Sequence, residues 1–179
     1  WDIRSVSSFI KSTNFLSIAV TKQGDVIVIN SSGDLIKASG DTGRLHWAFN
    51  TSTSILIDAT DFFKSSEIVI NDNNIIFSAG SSIFSYNLID GKLNWEKELS
   101  TIGAPIISRN NIFFVTENGY FIIMSKDDGK IISSNNILKI LKRKKQETRI
   151  TGFIMGSGKI YSVTLNGYLI VSSAISGKV

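Results

Sequence analysis

Residues 110–136 read NNIFFVTENGYFIIMSKDDGKIISSNN, and the fold follows from them. Residues 112–116 are a run of β-branched and aromatic side chains, a composition that suits a pleated, half-buried surface. Glu117-Asn118-Gly119 is a turn, because Asn-Gly reaches positive φ at little steric cost. Residues 120–125 form a second such run, 126–129 a second turn, and a further strand starts at Lys130. The stretch reads strand, turn, strand, turn, strand.

Gly129 serves as a ruler for the rest of the chain. Gly43, Gly91 and Gly177 stand in the same context, in Gly43-Arg-Leu-His-Trp47, Gly91-Lys-Leu-Asn-Trp95 and Gly177-Lys-Val179. Upstream of each lie a turn residue (Gly33, Ser81, Gly119, Gly167) and, further back, a short apolar run at Val20, Ile68, Ile106 and Ile154. The ruler glycines are 48, 38 and 48 residues apart. Four short strands per copy, repeating at this period with no helix signal between them, predict an all-β chain of four-stranded β-propeller blades. The expected blades cover 15–49, 66–98, 104–134 and 150–179, within one propeller segment spanning 1–179. Residues 1–4 resemble the end of a blade's last strand, and the chain stops at the start of another. The expectation is therefore a piece of a longer protein, part of a seven- or eight-bladed ring closed by further blades or a second copy.

The two longer repeats gain their extra residues between the last strand of one blade and the first of the next. One insertion holds Ser54-Ile-Leu-Ile-Asp-Ala59, the other a basic run. In a propeller such connections open on the same side as the turns between second and third strands, where loops on a rigid scaffold carry function.

Composition narrows the class. The 179 residues are 42% hydrophobic and 19% charged, as in an ordinary globular domain, and 14 Gly against one Pro suit many tight turns. There is no Cys, which excludes disulfides and thiolate metal sites. No apolar run approaches the roughly 18 residues of a membrane-spanning helix. The net charge is +4, but residues 139–149 alone carry +5, leaving −1 for the remainder. Basic character confined to one run does not describe a nucleic-acid-binding surface, so no nucleic-acid partner is expected.

The endings Asp41-Thr-Gly-Arg-Leu-His-Trp47 and Ile89-Asp-Gly-Lys-Leu-Asn-Trp95 resemble the T-G-x-x-x-W ending of the pyrroloquinoline-quinone (PQQ) type repeat. The family's usual Asp four residues before the glycine is replaced by Ser39, Asn87, Ser125 and Ser173, and Ser133 stands where the third blade would carry Trp. The resemblance implies that Trp47 and Trp95 are structural, docking between adjacent blades. It further implies that a quinone, where bound, is held by a Trp and a vicinal disulfide beside Ca²⁺; without Cys that clamp is impossible here, and no cofactor is expected. Among non-enzymes the repeat is similar to the BamB-type outer-membrane assembly lipoproteins. That likeness implies a non-catalytic scaffold for protein–protein interaction in the periplasm, associated with the outer membrane and partnered by its barrel-assembly machinery. The alternatives are a fragment of a PQQ-dependent dehydrogenase and a generic propeller adaptor.

Few residues suggest chemistry. Asp41, Asp72, Asp90, Asp127 and Asp128 sit in turns and read as turn formers rather than ligands. His46, the single His, has no carboxylate or nucleophile at a recognisable spacing, so no catalytic residue and no metal site are expected. Asn30-Ser-Ser32 and Asn50-Thr-Ser52 match a glycosylation sequon that occurs often by chance. The basic run leaves two readings. It is a solvated loop with a helical turn tucking in Ile140 and Leu141, or Lys142, Arg143, Lys144 and Lys145 contact an acidic protein or an anionic membrane surface.

Overall fold

The structure, a computed structural model, describes residues 1–2, 17–30, 33–51, 65–141 and 148–179. Among them β-strands dominate, and the longest helical piece is the single 3-10 turn Ile137–Ile140. Blade 1 consists of β1 (Ile18–Val20), β2 (Asp25–Ile29), β3 (Asp34–Ser39) and β4 (Leu45–Asn50). Blade 2 holds β5 (Val69–Asn71), β6 (Asn74–Ala79), β7 (Ser82–Asn87) and β8 (Leu93–Glu98). Blade 3 holds β9 (Ile106–Ser108), β10 (Asn111–Val115), β11 (Tyr120–Ser125) and β12 (Ile131–Asn136). Blade 4 holds β13 (Ile150–Gly156), β14 (Lys159–Thr164) and β15 (Leu169–Ser173). Each blade is an antiparallel meander in sequence order. This is the all-β propeller-blade architecture that the repeat predicts.

Two compact units divide the chain, Trp1–Glu98 with blades 1 and 2, and Leu99–Val179 with blades 3 and 4. In each, period-two alternation puts one face of each sheet into a shared core. Ile27, Ile29 and Leu35 of blade 1 meet Ile75, Phe77, Phe84 and Tyr86 of blade 2, with the three rings of Phe77, Phe84 and Tyr86 stacked 5.6–6.1 Å apart. In the second unit Phe113, Val115, Phe121 and Ile123 meet Ile150, Ile160 and Ile170.

The ruler glycines share one geometry. Gly43, Gly91, Gly129 and Gly177 have φ between 65° and 70°, and each N–H donates to the carbonyl four residues back, on Ser39, Asn87, Ser125 and Ser173, at 2.8–3.0 Å. The side chains at that fourth-back position finish the turn. Ser39 Oγ accepts from Thr42 N, Asn87 Oδ1 from Ile89 N and Asp90 N, and Ser173 Oγ from Ile175 N and Ser176 N. At three of the four turns the Ser or Asn thus supplies a side-chain acceptor oxygen. Where the third strand meets the fourth, the register slips at Lys37/Ala38, Ser85/Tyr86 and Ile123/Met124, the same place in three blades. The extra residues at these β-bulges are His46, Asn94 and Ile132, and a bulge of this kind re-aims its side chain.

Candidate functional site

His46 uses its bulge to reach back across the sheet. Its Nε2 lies 3.1 Å from Asp25 Oδ1 on β2, while Lys37 Nζ on β3 lies 3.2 Å from Asp25 Oδ2. Lys37 also donates to the Leu88 carbonyl of blade 2 at 3.3 Å, tying two blades together. Burial pushes the Asp25 carboxyl up, but the hydrogen bond and charge of Lys37, with His46 beside it, prevail and hold it below the usual carboxylate value. Sequence reasoning missed Asp25 and Lys37, because only the strand register brings residues 12 and 21 positions apart into contact. The cluster can orient charge, yet it holds no nucleophile, and both partners of the carboxylate are engaged in holding strands.

The aromatic positions have their own geometry. A Cβ added at Gly91 would meet the rings of Phe49 and Trp47, with Trp47 Cδ2 at 2.8 Å, so the last strand of blade 1 lies over the ruler turn of blade 2. Trp1 lies over Gly43 in the same way, and its Nε1 donates to the Gly40 carbonyl at 3.1 Å. Leu88 offers the corresponding carbonyl in blade 2, but Lys37 occupies it, and Trp47 Nε1 is buried without a partner. Trp95 is buried on β8.

The other candidate residues are held by local bonds. Asp90 accepts from Lys92 N and pairs with its Nζ at 3.3 Å; Asp128 does the same with Lys130, whose Nζ lies 2.7 Å away. The Lys130 side chain, the Ser125 hydroxyl and the Lys130 backbone N–H bring the Asp128 carboxyl down to about 2. Asp127 accepts from Asn110 Nδ2, and Asp72 takes a positive φ of 53°. Asn30 and Asn50, the two sequon residues, both donate to the Asp34 carboxylate. Among the described residues no three His, Asp or Glu side chains gather where they could hold a metal ion. A quinone clamped by a vicinal disulfide does not fit a chain with no cysteine, and among the described residues no carboxylate cluster offers Ca²⁺ a site beside it.

The basic run emerges from one end of the second unit. Lys142, Arg143, Lys144 and Lys145 lie outside the described residues, but both stems are fixed. Ile137 N donates to the Gly119 carbonyl at 2.9 Å and Ile150 N to the Glu117 carbonyl at 3.0 Å, so a single hairpin turn of blade 3 holds both stems. Leu138 packs over Gly119, Arg149 Nη1 pairs with Glu117 Oε1 at 2.9 Å, and Arg149 O accepts from Leu165 N on the β14–β15 turn. The short helical turn departs from expectation in one respect. Ile137 is its buried residue and Leu141 packs on the core, whereas Ile140 is 52% exposed.

These sheets, turns and bulges define a propeller of the PQQ-like repeat class. Residues 11–135 match the family model described as outer membrane protein assembly factor BamB, and the chain belongs to that family. It is 22% identical over 161 residues to an uncharacterised protein of Rickettsia prowazekii, covering 86% of this chain and 39% of that one. The crystal structure of BamB from Moraxella catarrhalis superposes with a TM-score of 0.67 at 15% identity, over 91% of this chain and 48% of that one. A quinohemoprotein alcohol dehydrogenase from Comamonas testosteroni gives 0.63 at 14% identity, over 90% and 34%. Identities this low carry the fold and no more. The chain spans about two-fifths to one-half of the length of the Rickettsia and Moraxella proteins.

Proposed function

We propose that this chain is part of a non-catalytic propeller scaffold that binds other proteins in outer-membrane protein assembly, on the periplasmic side of the outer membrane. The match of residues 11–135 to the BamB family carries the reading. The chemistry of the polar residues supports it: His46, Asp25 and Lys37 fasten strands, and the turn carboxylates cap turns. Trp47 and Trp95 act as docking residues between blades, keeping the scaffold rigid. The contact element is the basic run with Lys142, Arg143, Lys144 and Lys145, a cluster of positive charge in the sequence between two stems that blade 3 holds. Such charge speeds encounter with an acidic partner and selects against basic ones.

The test is co-elution of the whole protein with the detergent-solubilised barrel-assembly complex of the same cell. Co-elution at low salt, weakened when the four basic residues are replaced by Gln, is the expected result. Separate elution under all conditions would overturn the assembly role. The similarity to a quinohemoprotein alcohol dehydrogenase favours a second reading, a fragment of a quinone-dependent dehydrogenase, which titration with the quinone and Ca²⁺ tests.

A further inference from the structure

The joint between blades 1 and 2 brings two donors to one acceptor. Trp1 gives the pattern: it lies over Gly43, and its Nε1 donates at 3.1 Å to the carbonyl of Gly40, three residues before that glycine. Trp47 lies over Gly91 in the same manner, and the residue three before Gly91 is Leu88. By the repeat, the Leu88 carbonyl is the acceptor for Trp47 Nε1. That carbonyl instead accepts from Lys37 Nζ, and the Trp47 N–H is buried without a partner. A buried donor left unpaired is costly, and few in native proteins stay so.

The occupying bond is weak, and its donor has a second home. Lys37 Nζ stands 3.3 Å from the Leu88 oxygen, long for a charged donor, and 3.2 Å from Asp25 Oδ2. On leaving Leu88 the ammonium would keep Asp25, and its side chain, 14% exposed, would turn its other N–H groups to water. Lys37 on Leu88 strands an indole N–H, whereas Trp47 on Leu88 strands nothing. We propose that the Leu88 carbonyl is a shared acceptor, and that the joint between blades 1 and 2 exchanges between two latched states, one made by Lys37 Nζ and the other by Trp47 Nε1. The joint stays bonded in both, so the turn that carries Leu88 and Gly91 can shift against β4 while the core beneath it stays closed.

The test follows the indole N–H groups of the whole protein by nuclear magnetic resonance, with the Trp47 signal assigned by its loss in Trp47→Phe. In the wild type that signal should show relaxation dispersion on the microsecond-to-millisecond scale. Lys37→Met should abolish the dispersion, move the signal downfield towards the bonded position of Trp1, and slow its deuterium exchange roughly tenfold. The Trp95 signal should stay in place, reporting an intact fold. Stability gives a second readout, because donors that replace one another are not additive. Lys37→Met should raise the unfolding equilibrium constant roughly fivefold more in a Trp47→Phe background than in the wild type. A wild-type signal without dispersion, a Trp47 signal unmoved by Lys37→Met, or equal losses in the two backgrounds would each overturn the proposal. The wild-type dispersion needs no variant, so the test stands even where Lys37→Met fails to fold. None of these readouts involves a partner, so their failure is distinct from a failure of co-elution.

Discussion

Blades 1 and 2 solve one problem with different chemistry. In blade 1 the bulge residue His46 meets Asp25 on the second strand, with Lys37 on the third. In blade 2 the same three positions hold Asn94, Asn74 and Ser85, and Asn94 Nδ2 donates to Asn74 Oδ1 at 3.0 Å and Ser85 Oγ at 3.2 Å. Blade 3 has Ile132 at the bulge, with Asn111 and Ile123 at the other two positions. A position that accepts an ionic triad, a neutral one or an isoleucine serves the bulge, and its single histidine needs no catalytic explanation. What blade 1 adds is the bond from Lys37 to Leu88, which couples it to its neighbour.

The contrast can be broken most severely at the tryptophans. Trp95 is buried and Trp47 half-buried at the same repeat position. Trp95→Ala is expected to destabilise its unit by about 3–5 kcal/mol, through lost transfer energy and a cavity. Trp47→Ala should cost less, and chemical denaturation giving the reverse order would contradict this account. Next comes Gly91→Ala, which meets the Trp47 and Phe49 rings at a φ of 70° and should cost about 2 kcal/mol or more. Gly158 has a φ of 71° with open space around its Cβ position, so Gly158→Ala measures the backbone part alone, about 1 kcal/mol. Equal losses would mean that the rings yield freely.

A smaller effect distinguishes the two triads themselves. Lys37→Met removes the inter-blade bond and leaves Asp25 with His46 alone, for an expected loss of about 1–3 kcal/mol. Ser85→Ala in blade 2 removes one neutral bond and should cost under about 1 kcal/mol. The smallest effect is on pH dependence. The Asp25 carboxyl is held below its unfolded value, so its contribution is complete above the unfolded value near 3.8 and is lost as pH falls through the lower folded value. Asp25→Asn should therefore flatten the acid limb of a urea midpoint series below about pH 4. Asp90 and Asp128 remain in both proteins and cancel in the difference. An unchanged acid limb would remove Asp25 from the account.

The blades were legible because they are set by local chemistry. Positive φ at Gly43, Gly91, Gly129 and Gly177, and β-branched runs between turns, need no long-range information. Ser and Asn in place of the related repeat's usual Asp read as a departure in sequence, yet Ser39, Asn87 and Ser173 each accept from the turn's backbone. The triad was not legible, since Asp25, Lys37 and His46 meet only once the register and bulge are fixed. Nor were the unequal burials of Trp47 and Trp95, which share one motif but differ in surroundings. Polar residues three places after Gly43 and Gly91, His46 and Asn94, were the one signal that pointed to the bulge contact.

The scaffold role proposed for this chain requires that it bind no quinone. The direct measurement is titration of the protein with pyrroloquinoline quinone and Ca²⁺, followed by quinone absorbance and by dye-linked alcohol oxidation. The account predicts no saturable binding in the micromolar range and no turnover above the protein-free blank. Micromolar binding accompanied by turnover would contradict it.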